Sequence, residues 1–77
     1  MHKGFVLLNC DLGAEEFIVE ELRKISQVSQ AHITFGAYDV IAEISADSRE
    51  DFDETVSLKI RRLARIVSTM TLNVIDS

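Results

Sequence analysis

A pattern of apolar residues that recurs after thirty-eight positions restricts this chain to few folds. In each copy, apolar residues spaced three or four apart lead into a short stretch of strand-forming residues, the pattern of a one-sided helix followed by a strand. The repeat therefore predicts two β-α-β halves. The matched positions are Ala14, Ile18, Leu22, Ile25 and Val28 in the first copy and Phe52, Val56, Ile60, Leu63 and Ile66 in the second.

The segments around the repeat complete the two halves. A continuous apolar run at Phe5–Leu8 suits a buried central strand, and Gly13 supplies a turn before the first helix. Asp47 and Ser48 offer N-caps for the second helix, and acidic residues three positions further on complete a capping box. The predicted strands are Phe5–Leu8, Val28–Phe35, Tyr38–Ser45 and Ile66–Ile75, and the predicted helices begin near Ala14 and Ser48.

The order β-α-β-β-α-β predicts an α+β, ferredoxin-like fold with a four-stranded antiparallel sheet. Right-handed crossovers place both helices on one face of the sheet, with the first and third strands at its centre. The first strand carries apolar side chains of both parities, Val6 and Leu8 against Phe5 and Leu7. Because two helices cover only one face, the other face should be buried against another subunit. We expect a symmetric homodimer that packs through its sheets.

The connection between the second and third strands is the candidate ligand site. Gly36-Ala37 predicts a tight turn, since glycine adopts positive φ freely. Tyr38 and Asp39 then lie at the mouth of the hairpin, beside exposed backbone amides. Asp39 either caps the turn by accepting those amides or pairs with the ammonium group of a small ligand. The residues alone favour the capping role.

The composition is that of one folded domain, residues 1–77, and it argues against several functions. A net charge of −5 disfavours nucleic-acid binding, which needs a basic surface. The basic cluster Lys59–Arg65 falls at a predicted helix end, where the helix dipole favours cations. The single cysteine allows no internal disulfide, and neither a signal peptide nor a membrane-spanning run is present, so we expect a cytoplasmic protein.

The sequence contains no motif that indicates catalysis or a cofactor. A Walker loop, zinc-ligand spacing, a nucleophile elbow and a Cys-x-x-Cys pair are all lacking, so we expect no enzymatic activity. The soft metal ligands His2, Cys10 and His32 stand at no recognised spacing. Cys10 is better explained as a small buried hydrophobe, and His32 as a strand residue that faces solvent or an interface.

One resemblance to a known family covers nearly the whole chain. The stretch Thr34-Phe35-Gly36-Ala37-Tyr38-Asp39, with the Gly13 turn, Ile25-Ser26-Gln27-Val28 and Thr69-Met70-Thr71-Leu72, resembles the effector-binding domain of the Lrp/AsnC family, also called the RAM domain. The resemblance implies a βαββαβ fold, dimers formed through the sheets, and ring-like higher oligomers. It also implies amino-acid effectors bound between dimers beside the central hairpin. The implied ligand-binding residues are Thr34, Phe35, Gly36, Ala37, Tyr38 and Asp39.

Three features depart from the family pattern. The usual DNA-binding helix-turn-helix is absent, so the chain resembles the stand-alone form of the domain. Phe35 stands where the family often has a small hydroxyl residue, and it makes the pocket more apolar or partly fills it. Arg65 stands where a glycine often precedes the last strand. The resemblance implies an amino-acid sensor that acts on transcription or amino-acid metabolism through partners such as a full-length Lrp/AsnC regulator, without binding nucleic acid or membrane itself.

Two other classes of protein stay open at this point. A dimeric α+β-barrel enzyme has a similar fold and sheet-paired dimer, but it keeps acid-base or haem-ligating residues in a cavity between sheet and helices. The helix-facing stripes of this chain are apolar, which counts against such an enzyme. A small metal-binding protein that uses His2, Cys10 or His32 is the other alternative.

Overall fold

The computed structural model describes residues 1–75 and has the predicted element order. The strands form one antiparallel sheet in which the second, third, first and fourth strands lie side by side in that order, so the first and third strands are central as expected. This confirms the ferredoxin-like α+β topology. The strands are β1 (His2–Cys10), β2 (Val28–Ile33), β3 (Val40–Ala46) and β4 (Ile66–Asn73); the helices are α1 (Glu15–Arg23) and α2 (Arg49–Glu54), and α2 continues as a π-helical segment (Thr55–Ile60).

The core lies between the helices and one face of the sheet. From the sheet, Val6, Leu8 and Val40 are fully buried against the helices. The thirty-eight-residue repeat corresponds to this packing, because each of its members is either buried or packs against the buried set. Its two copies therefore occupy equivalent positions in the core, as a duplicated β-α-β unit requires.

The other face of the sheet, which we call the open face, carries an apolar patch in its central columns. It consists of Phe5, Leu7, Ile41, Met70 and Leu72, which adjoin one another across β3, β1 and β4 in the strand register. Met70 and Leu72 are each nearly half exposed, and the other three are partly exposed. The sequence prediction that central strands have apolar side chains on both faces is therefore correct.

Several predicted boundaries were wrong. The first strand is longer at both ends than Phe5–Leu8, because a central strand pairs with two neighbours and so includes polar residues as well. The second strand ends at Ile33 and the third begins at Val40, so the tight turn at Gly36-Ala37 is instead the longer loop 34–39. The last strand ends at Asn73.

The start and end of the second helix show how local chemistry fixes its limits. The Ser48 hydroxyl accepts a hydrogen bond from the Asp51 amide at 3.0 Å, as the predicted capping box requires. Beyond Glu54 the helix widens, and the Arg61 amide donates to the Val56 carbonyl at 2.9 Å, five residues back. The regular α-helix therefore does not extend to the basic cluster Lys59–Arg65.

Arg65, before β4, has a backbone conformation that favours glycine. Its φ of 72° lies in the left-handed region, which costs a residue with a side chain free energy. The conformation is held because the Arg65 carbonyl accepts a hydrogen bond from the Asp11 amide at 2.9 Å. This bond joins the loop before β4 to the turn after β1. Within residues 1–75, no helix is both long and apolar enough to cross a membrane.

Candidate functional site

The loop 34–39 is fixed at both ends by hydrogen bonds. The Thr34 amide donates to the Asp39 carbonyl at 2.8 Å, and the Thr34 hydroxyl donates to the Tyr38 carbonyl at 2.7 Å. The Asp39 amide donates to the Leu8 carbonyl on β1 at 2.9 Å. The two ends of the loop are therefore joined to each other, and Asp39 is anchored to the central strand.

Between these anchors the loop offers unpaired backbone donors. Within the described residues, the amides of Phe35, Gly36, Ala37 and Tyr38 have no hydrogen-bond acceptor. Gly36 has a φ of 150°, so the positive φ expected of this glycine is present. The Phe35 side chain is fully exposed, so within one chain it fills no pocket. Consecutive free amides of this kind can bind an anionic group such as a carboxylate.

The carboxylate of Asp39 points to the helix side of the sheet. Its Oδ2 atom accepts a hydrogen bond from the Cys10 amide at 3.0 Å. This aspartate thus accepts a backbone amide of β1, and not one of its own turn as the capping interpretation supposed. The sulfur of Cys10 and carboxylate oxygens of Glu15 and Asp39 all lie within 4.8 Å of one another. Two carboxylates therefore meet at this end of the sheet.

The electrostatics of this cluster favour a bound cation. Burial of Cys10 raises the pKa of its thiol, and the negative charges of Asp39, Glu15 and Asp11 raise that pKa further, against an opposing effect of Arg65. The thiol is therefore neutral near pH 7, and the charge of the cluster comes from its carboxylates. A positively charged group placed among them gains charge-assisted hydrogen bonds.

Tyr38 lies on the opposite face from the carboxylate of its neighbour. Its hydroxyl is 3.5 Å from the sulfur of Met70, which belongs to the open face. Both residues precede β3 and Asp39 forms a bend, so their side chains do not follow the alternation of that strand. Within one chain, Thr34 is hydrogen-bonded to Asp39, and Phe35, Gly36 and Ala37 lie in the same loop, but the Tyr38 ring is not directed toward the Asp39 carboxylate.

A comparison with protein families assigns the chain to one of them. A model of the Lrp/AsnC ligand binding domain matches residues 3–77. This chain belongs to the Lrp/AsnC ligand binding domain family. The resemblance seen in the sequence is confirmed. No curated protein matches the chain significantly.

Solved structures agree with the family assignment. The crystal structure of FFRP-DM1 matches this Lrp/AsnC domain with a TM-score of 0.93 and 31% identity, covering 97% of this chain and 100% of that one. The hypothetical protein PHS023 from Pyrococcus horikoshii has a TM-score of 0.93 and 30% identity, covering 100% of this chain and 93% of that one. A transcriptional regulator from Neisseria meningitidis, NMB0573, solved as a complex with L-Met, shares the fold at 14% identity and a TM-score of 0.85; the match covers 97% of this chain and 50% of the regulator.

The positions of the buried residues and of the histidines bear on the two alternative classes. Among the described residues, the buried side chains are apolar apart from Cys10 and Thr55. His2 and Cys10 lie at opposite ends of β1, and His32 is exposed on β2. Those three side chains therefore form no common metal site. The set close enough to hold a metal is Cys10 with Glu15 and Asp39.

Glu15 is the member of the site that the sequence interpretation missed. In the sequence it looked like one of several acidic residues that favour the start of a helix. The topology contains a usable signal, however. Because β1 runs antiparallel to β3, the end of β1 and the start of α1 must lie beside the loop that leads into β3. Acidic residues in those two segments can therefore be expected to meet.

Proposed function

We propose that this domain binds an amino-acid effector at the loop 34–39 and relays its presence through protein partners. The observation that carries the proposal is that the Asp39 and Glu15 carboxylates approach within 4.8 Å of each other at the end of a loop that has four unpaired amides. An α-amino acid carries an ammonium and a carboxylate on one carbon, so it matches both halves of this site. The amino-acid complex of the Neisseria regulator, which shares the fold, supports the same class of ligand.

Each residue from Thr34 to Asp39 has a proposed part in binding. The amides of Phe35, Gly36 and Ala37 would bind the ligand carboxylate, and Asp39 with Glu15 would bind its ammonium. Thr34 holds the loop closed through its two hydrogen bonds. The exposed Phe35 ring gives the site an apolar border, which favours effectors with apolar side chains. Tyr38 would contribute its backbone amide.

The proposal extends to assembly and partners. The open face would pack against the open face of a second copy, and such dimers would associate further into rings. A full-length Lrp/AsnC regulator is the proposed partner through which binding affects transcription or amino-acid metabolism. We propose that residues 1–77 act as a single cytoplasmic domain without enzymatic activity and without direct contact to nucleic acid or membrane. The net charge of −5 supports the last point.

The substitution Asp39→Asn tests the ligand site with least damage to the fold. Asparagine keeps an oxygen that can accept the Cys10 amide but removes the negative charge. A charge-assisted hydrogen bond contributes about 1.5–3 kcal/mol, so affinity for the amino acid should fall roughly ten- to a hundredfold. Isothermal calorimetry with each of the twenty amino acids measures the effect.

The matched control is Asp47→Asn, which makes the same charge change at an exposed position near the opposite end of the sheet. It should leave the affinity as in the original chain. Asp39→Ala removes the Cys10 bond as well and should also lower the thermal stability. If Asp39→Asn binds as tightly as the original chain, the carboxylate has only its structural role and the proposed site is wrong.

A further inference from the structure

One buried side chain at the end of β1 faces charged groups without a hydrogen bond of its own. Only 9% of Cys10 is exposed, and among residues 1–75 its sulfur takes part in no hydrogen bond. The sulfur lies within 4.8 Å of carboxylate oxygens of Glu15 and Asp39. A free cysteine usually packs as a small hydrophobe. Packing against apolar neighbours therefore does not account for the position of this sulfur.

The three side chains come from three separate segments that the fold brings together. Cys10 ends β1, Glu15 begins α1, and Asp39 ends the loop before β3. One oxygen of the Asp39 carboxylate, Oδ2, accepts the Cys10 amide at 3.0 Å, and this bond orients the group. Within the described residues, the other Asp39 oxygen and the Glu15 carboxylate accept no hydrogen bond. Both carboxylates therefore have lone pairs free to bind a ligand.

The separations between these atoms are close to those between the ligands of a small divalent cation. Zinc binds a thiolate sulfur at about 2.3 Å and a carboxylate oxygen at about 2.0–2.2 Å, so ligand atoms of a tetrahedral site lie about 3.5 Å apart. The three atoms here lie within 4.8 Å of one another. The largest separation thus exceeds the tetrahedral value by about 1 Å. Rotation about the single bonds of Glu15, which is only partly buried, closes such a gap.

The charges around the cluster attract a cation. Glu15, Asp39 and the neighbouring Asp11 are negative, and Arg65 is the positive group that opposes them at the thiol. Arg65 pairs with Asp11 at 3.9 Å, which leaves the other two carboxylates without a cation. Burial, followed by these negative charges, raises the pKa of the Cys10 thiol. A metal ion reverses that effect, because it stabilises the thiolate directly.

We propose that Cys10, Glu15 and Asp39 bind a thiophilic divalent cation of the zinc class. When the ion binds, the metal–sulfur bond forms as the S–H bond breaks, and the proton passes to water. The thiolate favours Zn²⁺ or Cd²⁺ over Mg²⁺ and Ca²⁺, which prefer oxygen ligands. With three protein ligands, the fourth position of a tetrahedral ion is open to water.

This metal site goes beyond the proposed function and competes with it for the same two carboxylates. An ammonium group and a metal ion exclude each other from the oxygens of Glu15 and Asp39. This consequence rests on the proposed function, whereas the metal site itself does not. Saturation with zinc should therefore lower the affinity for an amino acid, and the amino acid should lower the affinity for zinc by the same factor.

Titration of the reduced, metal-free chain with Co²⁺, followed by absorption spectroscopy, tests the site. Cobalt bound to a thiolate gives a charge-transfer band in the near ultraviolet, which should saturate at an equimolar amount of the ion. Zn²⁺ should abolish the band, and Mg²⁺ or Ca²⁺ should leave it unchanged. Calorimetry with Zn²⁺ in two buffers of different ionisation enthalpy should detect release of the thiol proton.

Two variants identify the ligands. Cys10→Ser should abolish the cobalt band and weaken zinc binding. Glu15→Gln should weaken zinc binding at least about tenfold, because loss of a group that merely orients a ligand already costs about 10–100-fold. The matched control is Glu16→Gln, which makes the same charge change at an exposed position one residue further along α1. It should bind zinc as the original chain does.

The proposal is overturned if no charge-transfer band forms, if Ca²⁺ displaces cobalt as readily as Zn²⁺ does, or if Glu15→Gln and Glu16→Gln bind zinc equally. Calorimetry with amino acids on the metal-free chain separates this failure from that of the proposed function. Amino-acid binding without zinc binding removes the metal site alone, and zinc binding without amino-acid binding removes the effector site alone. An amino-acid affinity that an equimolar amount of zinc leaves unchanged would overturn the shared use of the carboxylates.

Discussion

Replacing Gly4 on β1 by a residue with a side chain should destabilise the domain. Gly4 lies on the helix side of the central strand, paired with Ile44 and Asn73. A Cβ atom added there would collide with the ring of Phe52, with Cε2 only 2.7 Å away, and would stand 2.5 Å from the Leu72 carbonyl oxygen. Phe52 is fully buried, and the Leu72 carbonyl belongs to a paired strand, so neither group can withdraw freely.

The expected cost of Gly4→Ala follows from these contacts. Overpacking of a core costs about 1–3 kcal/mol, and the rigid carbonyl favours the upper half of that range. Replacing glycine within a strand recovers about 0.5–1 kcal/mol of backbone entropy. The net loss of unfolding free energy is thus about 1–2.5 kcal/mol. For a domain of this size, the melting temperature should fall by roughly 4–20 °C.

Thermal and urea unfolding followed by circular dichroism, at one fixed protein concentration, measure this loss. Phe52→Leu supplies the control, because a shorter side chain opens the space that the new Cβ enters. The double variant should be more stable than the sum of the single effects predicts, since the residues are in contact. Equal stability of Gly4→Ala and the original chain, or strict additivity in the double variant, would refute the close-packing argument.

Two further predictions concern the open face and the cysteine. If the proposed sheet-packed dimer forms, Leu7→Asp should convert it to monomer in light scattering while the circular dichroism spectrum is retained. Leu58→Asp, at an exposed position on the π-helical segment, should leave the proposed dimer intact. A dimeric Leu7→Asp would contradict the sheet-packed assembly. Because burial and nearby carboxylates raise the pKa of the Cys10 thiol above its ordinary value of 9.0, its contribution to stability is complete below that pH and is lost as pH rises through the folded-state pKa. The urea midpoint should therefore fall more steeply above about pH 9 in the original chain than in Cys10→Ala, and parallel curves would count against this environment.

The repeat and the parity of the apolar residues determined the topology. The spacing of apolar residues marks the face of a helix or strand that is buried away from water, and it can be recognised within a short stretch of sequence. The same residues therefore marked the helices, their buried faces and the central strands before any tertiary contact was known. The excess of apolar residues on the second sheet face followed from Phe5 and Leu7 in the same way.

Tertiary structure alone decided the composition of the site. The tight turn predicted at Gly36-Ala37 is a longer loop because Asp39 bonds to Leu8 and Cys10, residues of another strand that turn preferences cannot anticipate. Those bonds bring the Asp39 carboxylate beside Glu15 and leave Tyr38 on the open face. Sequence thus determined which segments form helices and strands, since apolar spacing is local. The side chains that share a site depended on strand register, which long-range hydrogen bonds and packing establish.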